Sequence, residues 1–391
     1  IYLYELENTN LKGKSIINFQ RKKVLRILIC LQYINYLKMF EKFNFKTSIL
    51  IEKANKINAK SISDLITNPK NVLIVSFEVK NIEKFAKRLN KFNFEEFNIH
   101  LIQPGTLEDD ANTFQLLNEI LSESKCKVFI LQNHISDLKY FFQAADLSNF
   151  YANIQIFHNS LSELQREFSN FIEKSFRTIL NLGVSGHQQH LSENAKIPKS
   201  SFDNYRLGNL LQQIEVIQKP IQYSNCVVVD LSIVKQSDLP SKLELGVSGF
   251  TSESFNQIAR SIGSSENTKM TILTGFSKQN EGIDEVSVDT IAQFIYYYIS
   301  GVNKSGNTHG TVQETTFIID ECLPYHNVNF TKDEISMEWF ANYPYPLPEE
   351  LKHLSKVPCT YNDYIYSGKG ELSPRLEDIF SWLDELREQT L

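Results

Sequence analysis

Histidine and aspartate side chains stand where several hydrophobic runs of this sequence end. His134 and His158 each follow a run of β-branched and aromatic residues, and Asp230 lies at the end of the valine-rich run 226–231. In an open α/β sheet, ligands bind outside the carboxyl ends of the strands. Imidazole and carboxylate groups can hold divalent metal ions and can transfer protons. We therefore take these three residues as the candidate site residues.

The runs that would position these residues alternate with amphipathic segments from residue 70 onward. Three consecutive valines at 227–229 are typical of a strand that is covered on both faces of a parallel sheet. Strands that alternate with helices predict right-handed crossovers within one sheet. We therefore predict an α/β fold, a three-layer α-β-α sandwich with a mostly parallel sheet. Strands are predicted at 71–77, 98–103, 127–132, 153–157, 177–182, 226–231 and 269–274, and helices at 81–92, 107–122, 161–174, 202–218, 251–261 and 286–301, the last ending at a Gly301 cap.

Composition limits the class of protein. The chain has 391 residues, of which 42% are hydrophobic and 22% charged, and its formal net charge is −6. That balance provides no general attraction to nucleic acid. Its five cysteines are scattered and form no CxxC pair, which favours reduced thiols in a cytoplasmic protein. No run of about 18 apolar residues predicts a transmembrane segment.

The N-terminal residues 1–38 are interpreted as an extension outside the main fold. Their apolar run 24–37 follows three basic residues, an order that resembles a signal peptide, but Arg26 interrupts it and no typical cleavage site follows. An amphipathic anchoring helix and a signal segment are the alternatives. Residues 39–330 are assigned to the α/β domain.

The C-terminal residues 331–391 are rich in aromatic side chains with prolines between them. This composition predicts an irregular tail that ends in a polar helix at 374–390. In the simplest interpretation the tail packs onto the α/β domain. The alternative is an exposed aromatic surface for an unknown protein partner. We expect no nucleic acid as a partner, and a homo-oligomer stays open.

Several short stretches follow one another in a set order. They are 131–134 (Leu-Gln-Asn-His), 156–160 (Ile-Phe-His-Asn-Ser), 230–232 (Asp-Leu-Ser) and the glycine-rich turn 246–253. In this order they resemble motifs of the arginase, agmatinase and formimidoylglutamase (ureohydrolase) superfamily: Gly-Gly-Asp/Asn-His, Asp-Ala-His-x-Asp and Asp-x-Asp. The resemblance covers about residues 70–304 and is closest to divergent formimidoylglutamase-like proteins. The resemblance rests on the order of these motifs along the chain, because each motif taken alone is degenerate.

The resemblance implies a binuclear manganese site that hydrolyses carbon–nitrogen bonds in linear amidines. Two such cations activate a bridging hydroxide and need several carboxylates around them. Here Ile156, Ser160 and Ser232 stand where the family has aspartates. His134, His158 and Asp230 then remain as a vestigial metal site. We predict no catalytic residue, no cofactor, and a non-catalytic scaffold or binding protein.

Other functions stay open at this stage. The chain could be a metal-dependent hydrolase of linear amidines, similar to formimidoylglutamase or agmatinase, with manganese in a remodelled site. A weak site for a single metal ion, or small-molecule sensing in the old pocket, are further alternatives. His187 and His190 could ligate metal if helical, but an exposed loop is the simpler interpretation. The sequence contains no P-loop, and Gly183 to His187 departs from the G-x-S-x-G pattern of serine hydrolases.

Overall fold

The computed structural model describes residues 48–50, 65–77, 79, 82–92, 94, 97–102, 110–147, 152–159, 178–181, 205–244, 246–276, 284–306 and 313–390. The predicted extension 1–38, the predicted helix 161–174 and the pair His187 and His190 lie outside these residues. The described part contains two sheets.

The first sheet has eight strands. They are β1 (Ser48–Leu50), β2 (Asn71–Ser76), β3 (Asn98–Ile102), β4 (Lys127–Leu131), β5 (Ala152–Phe157), β6 (Thr178–Asn181), β7 (Cys226–Asp230) and β8 (Met270–Thr274). Their order is β1-β3-β2-β4-β8-β7-β5-β6, with β2 to β8 parallel and β1 antiparallel to β3 at the edge. Every predicted strand is present, with ends within one residue of the prediction.

Helices cover the sheet on both faces. They are α1 (Ile82–Leu89), α2 (Asp110–Glu123), α3 (Leu138–Leu147), α4 (Leu207–Gln212), α5 (Gln218–Tyr223), α6 (Ser252–Ser264) and α7 (Glu285–Gly306). Alternate strand residues such as Val72, Phe129 and Val229 share one core with α1, α6 and α7. The residues between them, such as Leu73 and Val128, are equally buried. The predicted three-layer sandwich with a mostly parallel sheet is therefore confirmed, although α3 was not predicted.

The single helix predicted at 202–218 is wrong. The chain instead forms α4, a 3₁₀ turn at Ile214–Ile217 and α5. Gln213 breaks the helix because its backbone, at φ −143° and ψ 71°, is not helical. Pro220 lies in the first turn of α5, where its missing N–H costs no helical hydrogen bond. In a continuous helix the same proline would have removed one.

Gly301 does not cap its helix, so that prediction is also wrong. It lies inside α7, which continues to Gly306, and faces α6, against which α7 packs. A Cβ atom on Gly301 would overlap the carbonyl oxygen of Arg260, and one on Gly263 would overlap that of Tyr298. The two glycines therefore allow the backbones of α6 and α7 to approach closely.

The second sheet corrects the expectation of an irregular tail. Its strands β9 (Glu314–Cys322), β10 (Tyr325–Asp333), β11 (Trp339–Asn342) and β12 (Lys356–Cys359) are antiparallel, in the order β12-β11-β10-β9. Helices α8 (Tyr361–Ser367) and α9 (Pro374–Thr390) complete this C-terminal unit. The predicted boundary at residue 330 falls inside β10, and the division into domains otherwise stays a prediction.

Aromatic side chains build a separate core for the C-terminal unit. Phe317 and Tyr364 both stack near Trp339, with ring centroids 5.3 and 5.0 Å away. The Tyr325 hydroxyl donates to the Asp384 carboxylate at 2.6 Å and so joins β10 to α9. The aromatic residues between the prolines thus form strands because their rings are buried together in one core.

Tyr223, at the end of α5, connects the α/β domain to the C-terminal unit. The Tyr223 hydroxyl donates to the carbonyl oxygen of Leu354 at 3.1 Å, and the Tyr223 carbonyl accepts from the Asn153 side chain at 2.8 Å. Tyr223 belongs to the core of the C-terminal unit although it ends a helix of the α/β domain. None of the helices described is both long and apolar enough to cross a membrane.

The close approach of α6 and α7 can be tested at Gly263. We expect Gly263→Ala to lower the free energy of unfolding by about 1–3 kcal/mol or more, because the added methyl overlaps a backbone carbonyl. The matched control is Gly208→Ala in α4, where a Cβ atom meets nothing within 4 Å. This control should be neutral or stabilising by up to about 1 kcal/mol. Urea denaturation of both variants measures the difference, and equal effects would contradict the packing argument.

Candidate functional site

Four neighbouring strands carry the candidate site at their carboxyl ends. In the order β4-β8-β7-β5, His134 comes after β4, Gly275 after β8, Asp230 at the end of β7 and His158 after β5. These residues surround one cavity of about 110 Å³, which is also lined by Ile135, Ser136, Leu243 and Glu244. The structure therefore brings all three sequence-predicted residues together. The cavity is smaller than the roughly 300–1,000 Å³ of pockets for drug-sized ligands.

Asp230 is held by its own turn. Its carboxylate is buried and accepts a hydrogen bond from the Ser232 backbone N–H at 2.8 Å, which caps the 3₁₀ turn Leu231–Ile233. Gly275 lies directly against this carboxylate with φ +92°, a conformation that favours glycine. A Cβ atom at Gly275 would lie 2.9 Å from Oδ1 of Asp230. The end of β8 thus leaves just enough space for the carboxylate.

The two histidines differ in their surroundings. His158 is fully buried, whereas His134 is half-buried at the start of the 3₁₀ turn Ile135–Asp137. The His134 backbone N–H donates to the Asp137 carboxylate at 3.2 Å, and its carbonyl accepts from the Gln132 side chain at 3.1 Å. These contacts fix the backbone that carries the His134 imidazole at the cavity.

The segment between β7 and α6 adds residues that sequence reasoning missed. It folds back over the end of β8, since the Leu243 N–H donates to the Gly275 carbonyl at 2.8 Å and Lys242 forms a β-bridge with Phe276. Glu244 lines the cavity as a result. No strand ends at Glu244, so a search restricted to strand ends could not find it.

Lys242 is a buried cation next to the candidate site, with 2% of its surface exposed. Its ammonium donates to the carbonyl oxygen of Val234 and reaches that of Ser232 at 3.5 Å. Burial lowers the pKa of Lys242, while the nearby carboxylates of Asp230 and Glu244 act in the opposite direction. The sequence held no signal for this position, because an isolated lysine in a loop is ordinarily solvated.

The residues present do not fit a binuclear manganese centre. Across the described ranges, no group of three His, Cys, Asp or Glu side chains is arranged to hold a metal ion. Ser232 occupies the second acidic position of the Asp-x-Asp pattern, and its hydroxyl accepts from the Asn159 N–H at 3.4 Å. Ile156, at another acidic position, is buried in β5. The cavity combines two imidazoles and two carboxylates, from His134, His158, Asp230 and Glu244.

The fold of this chain is similar to that of solved ureohydrolase structures, which is the fold that the sequence resemblance predicted. The chain is similar to the crystal structure of Trypanosoma cruzi formiminoglutamase with Mn²⁺, at 12% identity and a TM-score of 0.51, over 66% of this chain and 99% of that chain. The oxidized form of that protein with Mn²⁺ at pH 6.0 matches at 13% identity and a TM-score of 0.51, over 62% and 97% of the two chains. No protein-family model and no curated protein matches the sequence. At this identity the similarity establishes the fold alone.

The role of Asp230 in its turn predicts a cost for its removal. We expect Asp230→Ala to lower the free energy of unfolding by about 1–3 kcal/mol, because the Ser232 N–H loses its acceptor. Ser136→Ala is the matched control, since Ser136 lines the same cavity but is exposed and should change stability by less than about 0.5 kcal/mol. Chemical denaturation compares them. An Asp230→Ala variant as stable as the wild type would contradict the capping role.

Proposed function

We propose that this ureohydrolase-fold chain acts in the cytoplasm as a non-catalytic scaffold or binding protein that lacks the binuclear manganese site. The observation that carries the proposal is the state of Asp230, whose carboxylate caps its own turn while Ser232 replaces the second acid. A neutral hydroxyl provides neither the charge nor the ligand of a carboxylate. The described cysteines are free and buried, which supports a reducing compartment.

Charge balance supports the same proposal. Two manganese ions close together bring four positive charges, which several carboxylates must offset. Asp230 and Glu244 are the two carboxylates that line the cavity, and the buried Lys242 ammonium lies nearby, where it bonds carbonyl oxygens of the turn that follows Asp230. A pair of further cations would meet repulsion there. The chain's own residues therefore favour a metal-free pocket.

A metal-dependent hydrolase of linear amidines is the second candidate. One observation favours it: His134, His158, Asp230 and Glu244 all line the same cavity, although they come from four separate segments. Small shifts of such side chains could gather ligands for a metal ion. This candidate and the first make opposite predictions about manganese.

Manganese titration separates the two candidates. We expect purified protein to contain no stoichiometric metal and to give no binding heat with manganese at millimolar concentration, because a metal ion would meet the buried Lys242 ammonium beside the two cavity carboxylates. Metal analysis and calorimetry make the measurements, and the His134→Ala/Asp230→Ala double variant is the control for stray binding. Two equivalents per chain, lost in the double variant, would overturn the proposal. Formimidoylglutamate, agmatine and arginine would then be the substrates to assay.

The binding role needs a surface, and we place it on the C-terminal unit, at strand β9. In the described part of the chain, β9 is an edge strand of its sheet, with β10 on one side. Ile318 on this strand is 63% exposed. An edge of this length presents unpaired backbone groups that another strand can pair with.

A second copy of this chain is the partner that the edge fits best. In antiparallel pairing about a twofold axis at Ile318, each Ile318 meets its copy, and Phe317 lies opposite Ile319. The acidic residues Asp320 and Glu321 then lie opposite Thr316 and Thr315, so no like charges are directly paired. The hydroxyls of the threonines can donate to the carboxylates.

Self-association through β9 can be measured by sedimentation velocity. We expect Ile318→Lys to raise the dimer dissociation constant at least tenfold, about 1.4 kcal/mol, because two ammonium groups would meet across the axis. Ile335→Lys is the matched control: Ile335 is 54% exposed but lies in the turn between β10 and β11. A monomeric wild type, or equal effects of both variants, would refute this interface.

A further inference from the structure

We infer that the Lys242 ammonium is the internal cation of the candidate site and holds the site together in place of a bound metal ion. The inference deepens the proposed function and rests on it. Lys242 takes no part in the sequence motifs, and from the segment between β7 and α6 its ammonium reaches the turn that follows Asp230.

The position of the ammonium is the first argument. Asp230 caps the beginning of the 3₁₀ turn Leu231–Ile233, and Lys242 donates to carbonyl oxygens at the turn and just after its end, those of Ser232 and Val234. A negative group at the start of a helical turn and a positive group at its end both complement the direction of the peptide dipoles. The two charges therefore stabilise the turn that follows β7.

The second argument is the cost of burying charge. Asp230 is 4% exposed and Lys242 is 2% exposed. A buried carboxylate is stable only when hydrogen bonds and an opposite charge compensate for lost hydration. The Ser232 N–H provides one hydrogen bond, and the Lys242 ammonium brings a positive charge to the same turn, 3.5 Å from the Ser232 carbonyl oxygen.

The third argument is that Lys242 anchors the segment that lines the cavity. The next residue, Leu243, donates its N–H to the Gly275 carbonyl at 2.8 Å, and Glu244 follows at the cavity wall. Gly246, further along the segment, also lies within van der Waals range of the Lys242 ammonium, since a Cβ atom there would be 4.0 Å away. Loss of the ammonium would therefore loosen one wall of the cavity and leave backbone carbonyls unpaired.

A second buried lysine provides a matched comparison. The ammonium of Lys127, the first residue of β4, donates to the Ser265 carbonyl at 2.7 Å and to that of Thr268. It resembles Lys242 in residue type and in its backbone acceptors. It lies at the amino edge of the sheet, however, whereas the candidate site lies at the carboxyl edge.

The test is thermal unfolding with and without manganese chloride. We expect the wild type to show the same melting temperature in both conditions. Lys242→Met should melt at least about 3 °C lower, because a buried charge loses its partner, and manganese should restore part of that loss. The Asp230→Asn/Lys242→Met double variant should lose the response to manganese. Lys127→Met should be less stable but should not respond to manganese.

Two further variants keep the test decisive. If Lys242→Met does not fold, Lys242→Gln retains a hydrogen-bond donor without the charge and should show the manganese response, whereas Lys242→Arg keeps the charge and should not. Neutral variants that melt like the wild type, or that ignore manganese, would overturn the inference and leave the proposed function standing. Stoichiometric manganese binding by the wild type would instead overturn the proposed function.

Discussion

Burial of both faces of the parallel sheet is the constraint on which the rest of this structure depends. Strands β2 to β8 run in one direction, so helices must cover both faces, and the crossovers bring the carboxyl ends of the strands to one edge. The polar residues at these ends meet around one cavity for that reason. The close approach of α6 and α7 at Gly263 and Gly301 is part of the same requirement, because one helical layer must fit tightly over the sheet.

At the carboxyl ends of the strands, the charges of this chain differ from those of the metal site that the sequence resemblance implies. The cavity contains carboxylates and imidazoles, and protein contacts hold two of the residues that provide them: the Asp230 carboxylate caps its own turn, and the His134 backbone is bonded to its neighbours. On the inference drawn from Lys242, its ammonium provides the positive charge that a metal ion would otherwise bring to the site. Because the hydrophobic core of the fold does not depend on the residues of the site, the site can change in this way while the fold stays stable.

The C-terminal unit shows how a segment rich in aromatic residues and prolines can form regular structure. Its strands are short, but the rings of Phe317, Trp339 and Tyr364 pack together, and Tyr223 from the α/β domain joins that core. Contact with the α/β domain covers part of the unit, while β9 stays at the edge of its sheet. An exposed edge strand beside a closed core is the arrangement that the proposed binding role requires.

The sequence by itself determined the strands of the parallel sheet and the candidate residues His134, His158 and Asp230. Runs such as the valines of β7 are a local signal, and the ends of parallel strands meet by a general rule of topology. Only the tertiary structure decided that Lys242 and Glu244 join the site, that Gly301 lies inside a helix, and that the tail forms a sheet. Each of these depends on contacts between separate elements: Lys242 with the turn after β7, Gly301 with Arg260 on another helix, and β11 with both β10 and β12. Local periodicity contains no information about such pairings, because the free energy that selects them arises only when the segments pack together.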